Sequence, residues 1–147
     1  MASTVLFLCT GNYYRSRFAE VLFNHLAARD GLDWSASSRG LKIGWPGNVG
    51  PLSPHTQQRL TELAIDIGDA RHMPMQCRAC DLEAADVVIA LKEAEHRAML
   101  AEWFAGWEDR VTYWHVHDVD AAHPKQAFAE IEALVGELVA RLQESDD

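Results

Sequence analysis

The stretch VLFLCTGNYYRSRFAE, residues 5–20, passes from a continuous apolar run into a helical pattern within a few positions. An apolar run that is followed by a glycine is typical of a buried strand in a parallel sheet. From Arg15 onward apolar residues recur at helical spacing, and Gly31 ends the pattern. The stretch therefore predicts a strand, a short loop and a helix, with Cys9 where the strand ends and Arg15 where the helix begins.

The same alternation of strands and helices continues along the rest of the chain. Further strands are predicted at residues 32–37, 85–91 and 110–116, and further helices are predicted to begin at Pro54, Glu93 and Pro124. This alternation predicts an α/β fold: a single domain, residues 1–147, with a doubly wound four-stranded parallel sheet flanked by helices. Ligands bind such a sheet at the carboxyl ends of its strands, where Cys9 and Asp118 are both expected.

Composition limits the functions that the chain can have. Its 147 residues, 48% of them hydrophobic, are enough for one core, and a net charge of −9 argues against a nucleic-acid-binding surface. No signal-peptide pattern and no apolar run of membrane-spanning length is found, so we expect a cytoplasmic protein that binds no membrane. Three cysteines in a reducing compartment predict free thiols rather than a disulfide framework.

The loop between Cys9 and Ser16 has the residue types of an anion cradle. Backbone N–H groups at a strand-to-helix junction can converge on one point, and the helix N-terminus adds partial positive charge. Gly11 allows close approach of the backbone, and Asn12 tolerates a left-handed conformation. Arg15 can hold two oxygens of a tetrahedral oxyanion. The same positive surroundings favour a thiolate, so the loop is predicted to bind phosphate and to supply a sulfur nucleophile. The alternative is that the cysteine is only a small buried apolar residue.

The sequence CTGNYYRS, residues 9–16, resembles the phosphate-binding signature of the low-molecular-weight protein tyrosine phosphatase family, Cys-x-Gly-Asn-x-x-Arg-Ser near the N-terminus. SRG at 38–40, LEAADVVIAL at 82–91 and YWHVHD at 113–118 resemble further segments of that family. The resemblance implies a phosphatase for phosphomonoesters, above all protein phosphotyrosine, that releases phosphate and requires no metal or other cofactor. Arsenate reductase-like relatives share the fold.

The resemblance also implies a role for individual residues. Cys9 would form a phosphocysteine intermediate, Arg15 would clamp the phosphate, and Ser16 would stabilise the thiolate. Asn12 would hold the shape of the loop through a hydrogen bond to Ser38. The residues expected to line the substrate site are Thr10, Gly11, Asn12, Tyr13, Tyr14, Ser16 and Trp45.

The general acid is expected to be Asp118, because its spacing from the fourth strand fits the aspartate of the family. A carboxylic acid there could protonate the leaving group and later activate water. Asp120 is the rival candidate. The proline that usually follows the family's aspartate, and the aromatic residues beyond it, are absent, which leaves both the acid and the preference for aryl phosphates open.

The loop departs from the family pattern at three positions. Tyr13, Tyr14 and Arg17 stand where the family commonly has an aliphatic residue, a second cysteine and a proline. The two tyrosines either form a flat wall of the pocket or pack beneath the loop. A histidine that often supports the loop network in the family is replaced by Ala70, unless His72 takes its place.

Two other groups of residues suggest different chemistry. His115, His117 and His123 are of metal-ligand type, but their spacing does not complete a usual zinc pattern. A single Cys77-x-x-Cys80 pair is weak evidence for zinc, and we expect it to have no chemical role. Two alternatives to a phosphatase remain: a thiol-coupled arsenate reductase, and a non-catalytic module that binds phosphorylated ligands.

Overall fold

The computed structural model describes residues 3–44, 46–67, 72–116 and 124–146. Its four strands are β1 (Ser3–Cys9), β2 (Trp34–Gly40), β3 (Val87–Ala90) and β4 (Thr112–Tyr113). They form one sheet in the order β2-β1-β3-β4, and every pair of neighbours is parallel. The predicted doubly wound, four-stranded parallel sheet is confirmed.

The helices cover both faces of this sheet. They are α1 (Arg15–Arg29), α2 (Pro54–Glu62), α3 (Ala79–Ala84), α4 (Glu93–Trp103) and α5 (Pro124–Asp146), with a 3₁₀ turn at Trp107–Asp109. Val5 and Phe7 of β1 belong to the core on the α1 and α5 side, while Leu6 and Leu8 belong to the core on the α3 and α4 side. Burial on both faces explains why the β1 sequence is apolar without alternation. None of the helices in the described ranges is both long and apolar enough to cross a membrane.

Several element boundaries follow from local chemistry that the sequence already displays. The Ser53 hydroxyl accepts a hydrogen bond from the backbone N–H of His55 at 3.1 Å, and Pro54 is the first residue of α2. This is the expected N-cap with proline at the first helical position. Gly31, just after α1, has a φ of 68°, a left-handed conformation that favours glycine.

Three elements of the structure differ from the sequence-based prediction. β2 continues to Gly40, three residues beyond its predicted end, because the whole of β1 pairs with it. β4 has two residues instead of seven, since it lies at the sheet edge and pairs only with β3. The helix α3 was not predicted, because its six residues are too few to show a helical period; its start is fixed by Asp81, whose carboxylate accepts from the N–H of Arg78 at 2.9 Å.

The end of β2 passes very close to the loop that follows β1. A Cβ atom on Gly40 would lie 2.8 Å from the carbonyl oxygen of Thr10 and 2.6 Å from Cγ2 of Ile43. Beyond Gly40, the backbone N–H of Lys42 donates to the same Thr10 carbonyl at 2.9 Å. Only glycine fits this close approach, which holds the loop after β1 against the end of β2.

Candidate active site

The Cys9 loop, residues 9–16, brings the sulfur of Cys9 close to the hydroxyl of Ser16, the second residue of α1. Cys9 ends β1 and is 2% exposed, and Arg15, the first residue of α1, is 3% exposed. The Sγ atom of Cys9 lies 3.0 Å from the Oγ atom of Ser16. The sulfur therefore lies within hydrogen-bond distance of a hydroxyl that belongs to the second residue of α1.

Asn12 fixes the shape of the loop. Its φ of 50° is the left-handed conformation predicted from the sequence. Its side-chain NH₂ donates to the hydroxyl oxygens of Ser16 and Ser38, both at 2.9 Å, and its carbonyl oxygen accepts from the N–H of Met75 at 2.9 Å. The predicted hydrogen bond to Ser38 is thus present, and the amide is held from three sides.

The two tyrosines of the loop point in different directions. The Tyr13 hydroxyl donates to the carbonyl of Val49 at 2.7 Å and accepts from its N–H at 3.2 Å, so it ties the Cys9 loop to the segment before α2. Tyr14 is 7% exposed, and its ring meets Phe128 of α5 edge-on, with 5.3 Å between the ring centroids. Tyr13 therefore forms part of the cavity wall, whereas Tyr14 packs largely beneath the loop.

A cavity of about 840 Å³ opens over the loop. Its lining includes Cys9, Thr10, Gly11, Tyr13, Tyr14 and Arg15 from the loop, residues 46–49 and 53–55 from the opposite side, and Glu95 and Met99 from α4. Because Cys9 borders the cavity yet is almost inaccessible, the sulfur lies at its inner end. A phosphorylated residue therefore needs a long side chain if its phosphate is to reach the sulfur.

A second polar cluster reaches the loop from the start of α4. A carboxylate oxygen of Glu95 lies 2.9 Å from Nη2 of Arg15 and also accepts from the Thr10 hydroxyl. The fully buried ring of His96 accepts from the Lys92 N–H through Nδ1 at 3.2 Å, so Nε2 carries a proton and can donate to Glu95, 3.0 Å away. This cluster holds the guanidinium of Arg15 in place.

Glu95 is a carboxylate at neutral pH. Burial would raise the pKa of Glu95, but the hydrogen bond from His96 and the charge of Arg15 outweigh burial and hold that pKa well below its usual range. Glu95 therefore places a negative charge in the cavity wall and, in this state, has no proton to give. It was not predicted from the sequence, although its position just after the carboxyl end of β3 was a usable signal.

Several predicted site residues lie outside the described residues. They are Trp45, Ala70, Asp118, Asp120, His117 and His123. The assignments of the general acid and of the rim tryptophan therefore stay predictions. His72 is described, and its ring lies 2.8 Å from the carbonyl of Met73 rather than taking the place of the missing network histidine beside Asn12.

The cysteine pair near the start of α3 consists of one buried and one exposed thiol. Cys77 and Cys80 are free thiols, the first 3% exposed and the second exposed. Burial raises the pKa of Cys77 to about 12, with the nearby charge of Asp81 adding to the effect. A thiol that stays protonated at neutral pH is a poor nucleophile and a poor metal ligand. Within the four ranges that the structure covers, no three metal-ligand side chains come together.

Nearly the whole chain is similar to proteins of one known family. A profile of the family described as low molecular weight phosphotyrosine protein phosphatase matches residues 4–147. A protein-arginine-phosphatase of Bacillus subtilis (strain 168) is 32% identical over 107 residues, which cover 73% of this chain and 67% of that protein.

Solved structures give the same picture. A low molecular weight protein tyrosine phosphatase from T. tengcongensis superposes with a TM-score of 0.78 and 30% identity, covering 95% of this chain and 99% of that one. The arginine phosphatase YwlE of Bacillus subtilis, in a mutant form with a phosphorylated active-site serine, superposes with a TM-score of 0.79 and 28% identity, covering 95% of each chain. These similarities extend over nearly the whole chain and are not confined to the Cys9 loop.

Proposed function

This chain belongs to the low molecular weight phosphotyrosine protein phosphatase family, and from that premise we propose that it hydrolyses phosphotyrosine in proteins with Cys9 as the nucleophile. Membership of the family makes it a phosphatase that takes phosphorylated protein, passes through a phosphoenzyme and releases phosphate. The observation that carries our assignment is the almost inaccessible sulfur of Cys9, 3.0 Å from the Ser16 hydroxyl and at the inner end of the cavity.

The reaction we propose has two displacements at phosphorus. In the first, the Cys9 thiolate forms a P–S bond while the P–O bond to the tyrosine oxygen breaks, and Asp118 protonates the departing phenoxide. In the second, Asp118 takes a proton from water, whose oxygen forms a new P–O bond as the P–S bond breaks and the thiolate returns. Arg15 and the backbone N–H groups of the Cys9 loop, residues 9–16, hold the non-bridging oxygens throughout.

Replacing the proposed acid, Asp118→Asn, is expected to lower kcat for aryl phosphates by about 10²-fold, because the amide has no proton to give the leaving group. The loss should shrink with a substrate whose leaving group is a more stable anion, such as a nitrophenolate, since that group needs less protonation. Rates measured on both substrates test this. Asp120→Asn is the matched control; if Asp120→Asn shows the larger loss, the acid is Asp120.

Tyrosine is favoured over serine and threonine by the depth of the site. The nucleophile lies at the inner end of the cavity, so a phosphoserine, whose phosphorus is only three bonds from Cα, is expected to reach it less readily than a phosphotyrosine. Tyr13 supplies a flat wall at the side, and Trp45 is proposed as a further rim aromatic, in keeping with a planar substrate ring. A pair of peptides that differ only in carrying phosphotyrosine or phosphoserine should show a clear preference for phosphotyrosine.

Phosphoarginine is the second candidate substrate, and one observation favours it. The ionised Glu95 lies in the cavity wall 2.9 Å from Arg15, where it would attract a cationic guanidinium and repel a purely anionic group. The relative from Bacillus subtilis is named as a protein-arginine-phosphatase. A phosphoarginine peptide therefore belongs beside the phosphotyrosine peptide in every assay.

The variant Glu95→Gln separates these two substrates. Its effect on the orientation of Arg15 is common to both, so the ratio of the two kcat/KM values isolates the contribution of the carboxylate charge. We expect the ratio of phosphotyrosine to phosphoarginine activity to rise about tenfold. An unchanged ratio would mean that Glu95 only positions Arg15 and does not select the substrate.

Two further alternatives give distinct results in the same assays. Arsenate reduction requires a thiol reductant for turnover, and Cys77, protonated at neutral pH, is poorly suited to relay electrons within the chain. A binding module would keep phosphate affinity without releasing phosphate from any substrate. We also propose a cytoplasmic location, because a nucleophilic thiol has to stay reduced.

A further inference from the structure

A buried guanidinium lies beneath the Cys9 loop, at the position where the family commonly has a proline. Arg17 is 0% exposed. Its Nη1 donates to the carbonyl of Pro51 at 3.1 Å and to the carbonyl of His72 at 3.0 Å, and its Nε lies 3.6 Å from a carboxylate oxygen of Glu20. Burying a charge is costly unless it is paired, so this cation and this carboxylate depend on each other.

The ion pair connects to the sulfur through a chain of short hydrogen bonds. Glu20 lies 2.5 Å from the Ser38 hydroxyl, which lies 2.9 Å from the side-chain NH₂ of Asn12. That NH₂ group also donates to Ser16 at 2.9 Å, and the Ser16 hydroxyl lies 3.0 Å from Sγ of Cys9. All the residues in this chain of hydrogen bonds are buried, between 0% and 7% exposed.

The carboxylate of Glu20 and the backbone N–H of Met75 together set the directions of the bonds in the chain. An ionised carboxylate can only accept, so the Ser38 hydroxyl must give its proton to Glu20. The Ser38 oxygen then accepts a hydrogen bond from the side-chain NH₂ of Asn12. The side-chain carbonyl of Asn12 accepts from the N–H of Met75, and this bond fixes the orientation of the amide. Ser16 likewise accepts from the amide, which leaves its one hydroxyl proton for Cys9. Ser16 is thereby a donor to sulfur, as a thiolate requires.

We propose that the Arg17–Glu20 ion pair is a positioning device that keeps Glu20 ionised and so fixes Ser16 as a hydrogen-bond donor to the Cys9 thiolate. The inference rests on the proposed function in so far as Cys9 is the nucleophile. Arg17 acts through other residues and touches no substrate, and its two carbonyl contacts also tie the first turn of α1 to Pro51 and His72. A guanidinium stays charged over the working pH range, so it provides this support where the family often uses a titratable histidine.

The electrostatic surroundings agree with this role. Burial lowers the pKa of the Arg17 guanidinium below its ordinary value, and the carboxylate of Glu20 opposes that shift. Two further groups act on the charge of Arg17: a thiolate at Cys9 favours the charged guanidinium, and the guanidinium of Arg39 opposes it. Arg17 and Cys9 are therefore coupled through space as well as through the hydrogen bonds.

The test measures the ionisation of the Cys9 thiol in the absence of substrate. Iodoacetamide alkylates the protein at a series of pH values, and mass spectrometry of the peptide that contains Cys9 gives the alkylation midpoint, the pH at which the alkylation rate is half of its maximum. Arg17→Met leaves Glu20 unpaired, and Glu20→Gln removes the charge with little change in volume. Each is expected to raise the midpoint by about one unit and to lower kcat near neutral pH with little change in KM. The matched control is Arg59→Met, which breaks the Arg59–Glu132 pair between α2 and α5, 3.0 Å long, and should leave the midpoint unchanged.

The double variant, Arg17→Met with Glu20→Gln, separates positioning from plain stability. It contains no unpaired buried charge, so its thermal stability should exceed that of Arg17→Met, while its alkylation midpoint should stay raised. The proposal is overturned if the alkylation midpoint of Glu20→Gln equals that of the wild type. It is also overturned if, in the double variant, both the midpoint and the thermal stability return to the wild-type values. Because alkylation needs no turnover, this result is independent of whether the wild-type protein hydrolyses phosphotyrosine.

Discussion

Cys9→Ser is expected to abolish phosphate release from a phosphotyrosine peptide, with a loss of at least about 10⁴-fold in kcat. A serine hydroxyl is not ionised at neutral pH, and the side-chain hydrogen bond described at this position is to Ser16, which is not a base. The replacement changes one atom of the side chain, and a hydroxyl can keep the hydrogen bond to Ser16, so the fold should be retained. Phosphate release measured at several enzyme concentrations gives the loss, and calorimetry with inorganic phosphate should show that binding survives.

Cys77→Ser is the matched control for this experiment. Cys77 is nearly as inaccessible as Cys9, 3% against 2% exposed, but burial raises the pKa of Cys77 to about 12 and it does not line the cavity. Its activity should equal that of the wild type. A Cys9→Ser enzyme that still releases phosphate, or a Cys77→Ser enzyme that does not, would show that the nucleophile has been assigned to the wrong thiol.

The geometry of the Cys9 loop could be predicted because it is local. Cys9, Asn12 and Ser16 lie within eight positions of each other, and the strand before them and the helix after them are both clear in the pattern of apolar residues. Once a strand ends at Cys9 and a helix begins at Arg15, few paths remain for the chain between them. Residue types alone then indicate which atoms face the anion.

The contacts that brace the loop could not be predicted, because they depend on the register of the sheet. Glu95 reaches Arg15 across 80 positions of sequence, and it does so because β3 pairs with β1 so that Leu8 faces Ala90 and α4 begins beside the loop. Ser38 reaches Glu20 for the corresponding reason on the β2 side. Strand order and register determine these side-chain contacts, and the apolar periodicity within a single strand or helix fixes neither.

The directions of the two tyrosines were open for a different reason. Consecutive residues in a loop follow neither the period of a strand nor that of a helix, so the sequence does not say which of Tyr13 and Tyr14 faces the core. In the structure, the Tyr14 ring packs against Phe128 of α5. The aromatic partner belongs to the last helix of the chain, far from the loop in sequence.

The second large effect is expected for Arg15→Lys, which should lower kcat/KM by about 10³-fold although the charge is retained. A guanidinium donates from two nitrogens in one plane and so fits two oxygens of the phosphoryl group, whereas an ammonium is a single point of charge. Arg15 is also held in position by Glu95 at 2.9 Å, and a shorter, freer lysine would be drawn to that carboxylate and away from the phosphate. Steady-state kinetics with a phosphotyrosine peptide, together with inhibition by inorganic phosphate, would measure both effects.

The two measurements should change unequally, and this inequality is the decisive part of the prediction. Charge spreads over the equatorial oxygens as the phosphoryl group is transferred, so the second hydrogen bond of the guanidinium matters more in the transition state than for bound phosphate. We therefore expect kcat to fall far more than the affinity for phosphate. Arg59→Lys, at the partly exposed pair with Glu132, should change neither. Equal losses of kcat and phosphate affinity in Arg15→Lys would instead mean that the guanidinium only gathers the substrate, and the stabilisation of the transition state would have to come from the backbone N–H groups of the loop.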